Sequence, residues 1–203
     1  MKISNSEKAS EQFGRMADDF FLTLIRVKFQ DYENSSLPFI YAHLLELSSK
    51  AACLKLNLDF SGLNHSIYKI FTLIGTKHPE ILGLLPPQSS FNEYKKMFVR
   101  SDAGHNTVTL PPPDQDYLIH QWEMAYIMDN VMNLKYGFTR DWVMLSNVMI
   151  AYEGFNDLFL PLFKATRKIY STPFLDENFV YRMVKGFGNN ENTTAWINLV
   201  LDV

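Results

Sequence analysis

Arg100 and His105, with four residues between them, are the pair in this sequence whose types and spacing suit chemistry on a phosphodiester. An imidazole with an ordinary pKa of about 6.5 can take a proton from a ribose 2′-hydroxyl or return one to a leaving 5′-oxygen. A guanidinium beside it holds a phosphate oxygen through two parallel hydrogen bonds and stabilises charge that builds up in the transition state. No metal is needed for that chemistry. Asp102 lies between the two and is read as orienting a partner group or binding nothing.

A second group is His43, Glu46 and Lys50, spaced by three and four residues and so on one stripe of a helix. A buried acid is costly unless paired, so Glu46 and Lys50 are expected to form the i,i+4 pair, with His43 one turn earlier. Functionally this is a polar site inside a bundle that supports the Arg100–His105 pair. The plainer reading is a satisfied ion pair at a helix surface.

His120 and Glu123 repeat the His-x-x-Glu step. Carboxylate–histidine metal bundles use the opposite order, Glu-x-x-His, with further glutamates from other helices. No metal site and no cofactor is expected. His65 is placed to cap a short helix or orient a loop, and His78, before Pro79, is expected to face solvent. Gly186-Phe187-Gly188 is too short and wrongly placed for a dinucleotide loop.

The elements that must position these residues read as helices. Phe13, Met16, Ala17, Phe20, Phe21, Leu24, Ile25 and Lys28 recur with helical period, predicting a helix from Glu7 to Phe29. Pro38 to Leu56 is apolar nearly all round, the pattern of a central helix touched by several neighbours. A loop from Asn57 to Asn64 precedes a short helix with Ile67, Ile70, Phe71 and Ile74. A further short helix is expected around Phe91 to Val99, ahead of Pro111-Pro112-Pro113. Asp114 caps a long helix bearing Leu118, Trp122, Ala125, Met128 and Met132. Thr139 or Asp141 opens another with Trp142, Leu145, Met149, Tyr152 and Phe155, which Gly154 and Pro161 are expected to kink or split. A last short helix runs from Asp176 to Lys185, closed by Gly186.

At 203 residues one domain is the better expectation than two. Nineteen Lys+Arg against twenty-two Asp+Glu exclude a global basic field, so nucleic acid would have to meet a local patch. The single Cys53 excludes an internal disulfide and a multi-cysteine zinc site. No apolar stretch approaches the roughly 20 residues of a membrane span, and the N-terminus has no signal-peptide core. A cytoplasmic protein with no membrane contact is therefore expected. Sixteen Phe, ten Tyr and three Trp exceed what one core of this size must contain, which points to an apolar homodimer interface.

The run from Phe39 to Ala51, with His43, Glu46, Leu47, Lys50 and Ala51, resembles the second-helix signature of the HEPN family (higher eukaryotes and prokaryotes nucleotide-binding). Asn64 to Phe71 looks like that family's His-led short helix. Arg100 and His105, ahead of the helix from Asp114, match its Arg-x4–6-His motif in position. The resemblance spans about residues 10 to 137. Ser101 stands where the family usually has Asn, Asp or His. What the resemblance implies is a helical domain whose Arg and His meet across a dimer interface and cleave RNA without metal, with Arg100 and His105 as the catalytic pair.

The expected fold is thus an all-α antiparallel bundle of six to eight helices, HEPN-like, with no sheet of three or more strands. It forms one domain over 1–203, with a core bundle at 10–137 and additional C-terminal helices at 138–203. The expected activity is a metal-independent endoribonuclease. The alternative is a non-catalytic helical interaction or regulatory protein with a protein partner, in which Arg100 and His105 are ordinary loop residues.

Overall fold

The computed structural model describes residues 5–28, 37–91, 93, 98–100, 106–108, 117–129 and 152–187, with the isolated positions 195 and 198. Among them are six α-helices: α1 (Asn5–Lys28), α2 (Leu37–Lys55), α3 (Ile67–Gly75), α4 (Tyr117–Asp129), α5 (Tyr152–Tyr170) and α6 (Pro173–Phe187). Short 3-10 turns cover Ser61–Leu63, Pro79–Leu84 and Gln88–Phe91. The protein is helical, as its periodicity predicts, and two three-residue strands interrupt the helices.

The centre is α2. Its residues from Leu44 to Ser49 are all buried, and it packs against α1, α3, α4 and α5. A helix apolar on every side has no other stable place than the middle of a bundle. Ser10 of α1 donates to the Ala51 carbonyl of α2 at 2.8 Å, which ties the two helices where their side chains are small. Ser48 and Ser49 donate back to their own helix, to Leu45 and Glu46 carbonyls, and so need no outside partner.

Aromatic rings fill the space between α1, α2, α5 and α6. Phe21 stacks on Phe163 with centroids 4.8 Å apart, and Tyr41 meets Phe159 edge-on at 4.7 Å. Helices of the 138–203 region therefore supply the core itself. The buried face of α1 runs through Ala17, Phe21, Leu24 and Ile25, and the expected face member Met16 is instead 38% exposed. Gly14 allows the closest approach: a Cβ there would lie 2.8 Å from Cδ2 of Tyr170.

Three expectations are corrected. The segment expected as a helix to Val99 ends in a strand, β1 (Phe98–Arg100), antiparallel to β2 (Asn106–Val108). Phe98 pairs with Val108, Val99 with Thr107 and Arg100 with Asn106. Pro161 does not split its helix, because α5 runs unbroken across it. Proline removes one backbone hydrogen bond there, and the buried Phe159, Leu162 and Phe163 around it hold the helix together through packing. The last helix starts at Pro173, earlier than Asp176, and runs through Gly186. The expected helix through Trp142 to Met149 and the positions Asp102, His105 and Met132 lie outside the described residues.

Candidate functional site

Glu46 is the hub of the most connected polar site on α2. Its side chain is 5% exposed, and Oε1 accepts from Lys50 Nζ at 2.5 Å. This is the expected i,i+4 pair, but it is sunk below the surface: Lys50 is only 15% exposed, so the surface ion-pair reading does not hold. The same Oε1 meets His65 Nδ1 at 2.6 Å, from a residue nineteen positions along the chain. His43 Nδ1 lies 3.4 Å from Oε2, a long contact that leaves this ring nitrogen without a well-formed hydrogen bond. Phe39 stacks on the His43 ring at 5.4 Å and Phe20 meets it edge-on at 4.6 Å, which fixes its plane.

The chain end of α2 explains how His65 arrives there. Leu58 N–H bonds to the Cys53 carbonyl at 2.8 Å and Asn57 N–H to the Leu54 carbonyl at 3.2 Å. Those two bonds, with Asn57 at φ 54°, close the helix in a Schellman motif. Asn64, at φ 50° and ψ −120°, makes a second positive-φ step just before His65. The helix α3 is preceded by Ser66 with no side-chain cap bond, so His65 serves Glu46 and does not cap α3.

Burial pushes the Glu46 carboxyl up, but the contacts from His43, Lys50 and His65 outweigh it and hold the carboxyl down at about 2. Glu46 is therefore a carboxylate at neutral pH and can only accept. His65 Nδ1 must therefore be its donor, and the His65 side chain is 43% exposed. A carboxylate that fixes an imidazole tautomer is the arrangement general acid–base chemistry uses.

Glu123, on α4, has the same step from its histidine and the opposite state. It is 2% exposed, its Oε2 has no partner, and His120 Nδ1 stands 4.0 Å away. Burial with nothing to offset it raises this carboxyl to about 8. Among the described residues no group of three or more His, Cys, Asp or Glu side chains is arranged to hold a metal ion. Cys53 is fully buried and burial pushes its thiol up to about 12, so it is not a nucleophile. His78 is half-exposed and pairs with Glu80 at 2.9 Å.

Arg100 closes β1 opposite Asn106, the residue that follows His105 in the chain. Asp102 and His105 lie outside the described residues, so the structure does not address the expected catalytic pair.

One buried cluster escapes sequence reading. Arg167 of α5 bonds Asp18 of α1 through Nε at 3.1 Å and through Nη2 at 3.2 Å. Its Nη1 reaches Asp176 of α6 at 2.7 Å, and its guanidinium lies over the Phe179 ring at 4.7 Å. Ser171 donates to Asp176, and Arg182 meets Asp19. Burial outweighs the pull of Arg167 and leaves the Asp18 carboxyl raised above its ordinary value. The bidentate fork is the geometry of an ionised pair. Asp18 is in phase with Phe21 and Ile25 on the apolar face of α1, and an acid at such a position was the one available signal of a buried partner. The network joins three helices through the buried Arg167 and Asp18, and its outer members Asp176 and Asp19 are 39% and 61% exposed.

Among the described residues no helix is long and apolar enough to cross a membrane. Comparison with protein-family models, with curated proteins and with solved structures gives no match to this chain.

Proposed function

We propose that this chain is a HEPN-like helical protein that cleaves RNA without metal as a homodimer, with Arg100 holding the phosphate and His105 moving the proton. The observation that supports this reading is the meeting of two separate stretches on one carboxylate. His43, Glu46 and Lys50 come from the helix that resembles the family's second helix, and His65 from the segment that resembles its His-led short helix. In the proposed step the 2′-oxygen attacks phosphorus and loses its proton to the His105 imidazole. The bond from phosphorus to the 5′-oxygen breaks, and that oxygen takes the proton now held by the His105 imidazolium, leaving a 2′,3′-cyclic phosphate. Arg100 bonds the non-bridging oxygens throughout. In this reading His43, Glu46 and Lys50 support the catalytic pair.

The test is cleavage of a mixed-sequence RNA by the wild type, His105→Ala and Arg100→Lys, with melting temperatures as the folding control. His105→Ala should lower cleavage by about 10²–10⁴-fold, the usual worth of a general acid–base group. Arg100→Lys should fail as well, because an ammonium cannot make the planar paired bonds of guanidinium. Chelation by EDTA should change nothing. Equal cleavage by wild type and His105→Ala would overturn the reading.

A second reading, a non-catalytic helical interaction protein, has its own observation. Phe174 and Tyr181 of α6 are 54% and 62% exposed and stand seven residues apart, on one helical face. Absence of cleavage above background in the wild type would favour it.

A further inference from the structure

The two faces of α6 are built differently. Leu175, Phe179 and Met183 recur every fourth residue and are buried against the core. On the opposite side Phe174 and Tyr181 are exposed, and Glu177 and Lys185 are exposed with them. Two large rings on one exposed face are the kind of patch that marks an interaction surface. A cation meets each ring: Arg15 of α1 lies 4.9 Å from the Phe174 centroid, and Lys185 lies 5.8 Å from that of Tyr181.

Glu177, Tyr181 and Lys185 form one i,i+4 row, and its charge pattern is its own complement. Read from the other end, acid–ring–base becomes base–ring–acid. Neither charge has an opposite charge three or four residues away on α6. Among the described residues neither is in an ion pair. Lys185 touches the Tyr181 ring, a contact that leaves its ammonium charged. Rows of this kind lie side by side when two helices pack in their commonest crossing. A two-fold axis at Tyr181 therefore sets each Glu177 beside the partner's Lys185, with the two tyrosine rings between the pairs. Self-complementarity of this kind is what an interface about a two-fold axis requires. Parallel helices in register would instead set like charges side by side.

We propose that the outer face of α6 packs against the same face of a second copy of this chain, antiparallel, with Tyr181 on the two-fold axis. One helix face per copy is a small interface, of the class that serves transient association. The inference holds whether or not the chain cleaves RNA.

Sedimentation equilibrium of the full chain, from micromolar to sub-millimolar concentration, tests it. The wild type should show a monomer–dimer equilibrium. Glu177→Lys and Lys185→Glu each turn both attractive pairs into repulsive ones, and each should raise the dimer Kd by about tenfold or more. Mixed in equal amounts, the two single variants should associate with each other, because a row with two bases then faces a row with two acids. The double variant Glu177→Lys/Lys185→Glu reverses the row and should restore the dimer. Tyr181→Ala should weaken it by about tenfold or more, since the ring is buried twice at the centre of the contact. Circular dichroism melts confirm that each variant is folded. A wild type that stays monomeric throughout would overturn the proposal and leave this face to a different protein. A dimer that none of these variants weakens would overturn it as well, placing the contact elsewhere and leaving the RNA-cleavage reading untouched. Single variants that fail to associate on mixing would overturn the antiparallel pairing.

Discussion

Glu46 and Glu123 both follow a histidine by three residues on a buried helix, and they end in opposite states. Glu46 is held down at about 2 and Glu123 is raised to about 8. The histidine is part of the cause: His43 comes within 3.4 Å of Glu46 and helps hold it down, whereas His120 stays 4.0 Å from Glu123. The rest of the difference lies in what meets the other oxygen. Lys50 comes up one turn later on α2, where α4 has Ile127, and His65 arrives from beyond the loop. A His-x-x-Glu step therefore does not define a site. The surroundings of the glutamate decide whether it is an acceptor or a neutral acid.

Asp18 is the extreme of the partnered kind, with a bidentate arginine and full burial. Arg167→Met should have the largest effect, because it leaves a buried carboxylate uncompensated. The expected loss is about 3–5 kcal/mol of unfolding free energy, read by urea denaturation at pH 7. A loss under about 1 kcal/mol would mean that solvent reaches Asp18.

Glu46→Gln should cost less, about 2 kcal/mol, since Lys50, His43 and His65 are partly exposed and solvent screens them. The pH dependence carries the sign. With the folded carboxyl at about 2 and the unfolded one at 4.5, its contribution is full above 4.5 and is lost as pH falls towards 2. The wild type should therefore lose stability over that window, and Glu46→Gln should lose less.

Glu123 runs the other way. Its folded carboxyl, at about 8, lies above the ordinary 4.5, so the folded state prefers the proton. The stability it costs grows as pH rises from 4.5 to 8 and is constant beyond. Glu123→Leu should remove that cost and stabilise the protein by about 1–3 kcal/mol at pH 8, with little gain at pH 4. A variant that destabilises equally at both pH values would show that Glu123 has a partner in solution.

The same contrast separates what was legible in the sequence from what was not. The central place of α2 follows from its apolar surface, and the Glu46–Lys50 pair from spacing alone. His65 was not legible, because it reaches Glu46 through a loop with two positive-φ asparagines, and chain reversals of that kind leave no periodic signal. Arg167 and Asp18 are 149 residues apart, and only the phase of Asp18 within an apolar stripe hinted at the bond. The ribbon was missed for a different reason: three residues per strand are too few for an alternation to stand out against the helical run from Phe91. Pro161 was weighed by its local rule, which allowed a kink or a split, and the helix runs on across it.

The contrast between the two glutamates is tested most directly by following the carboxyl resonances of isotope-labelled glutamate in the folded protein by NMR as pH is varied. Assignment comes from Glu46→Gln and Glu123→Leu. Glu46 should remain ionised until pH approaches about 2, and Glu123 should titrate close to 8. Both side chains titrating together near the ordinary 4.5 would contradict the account.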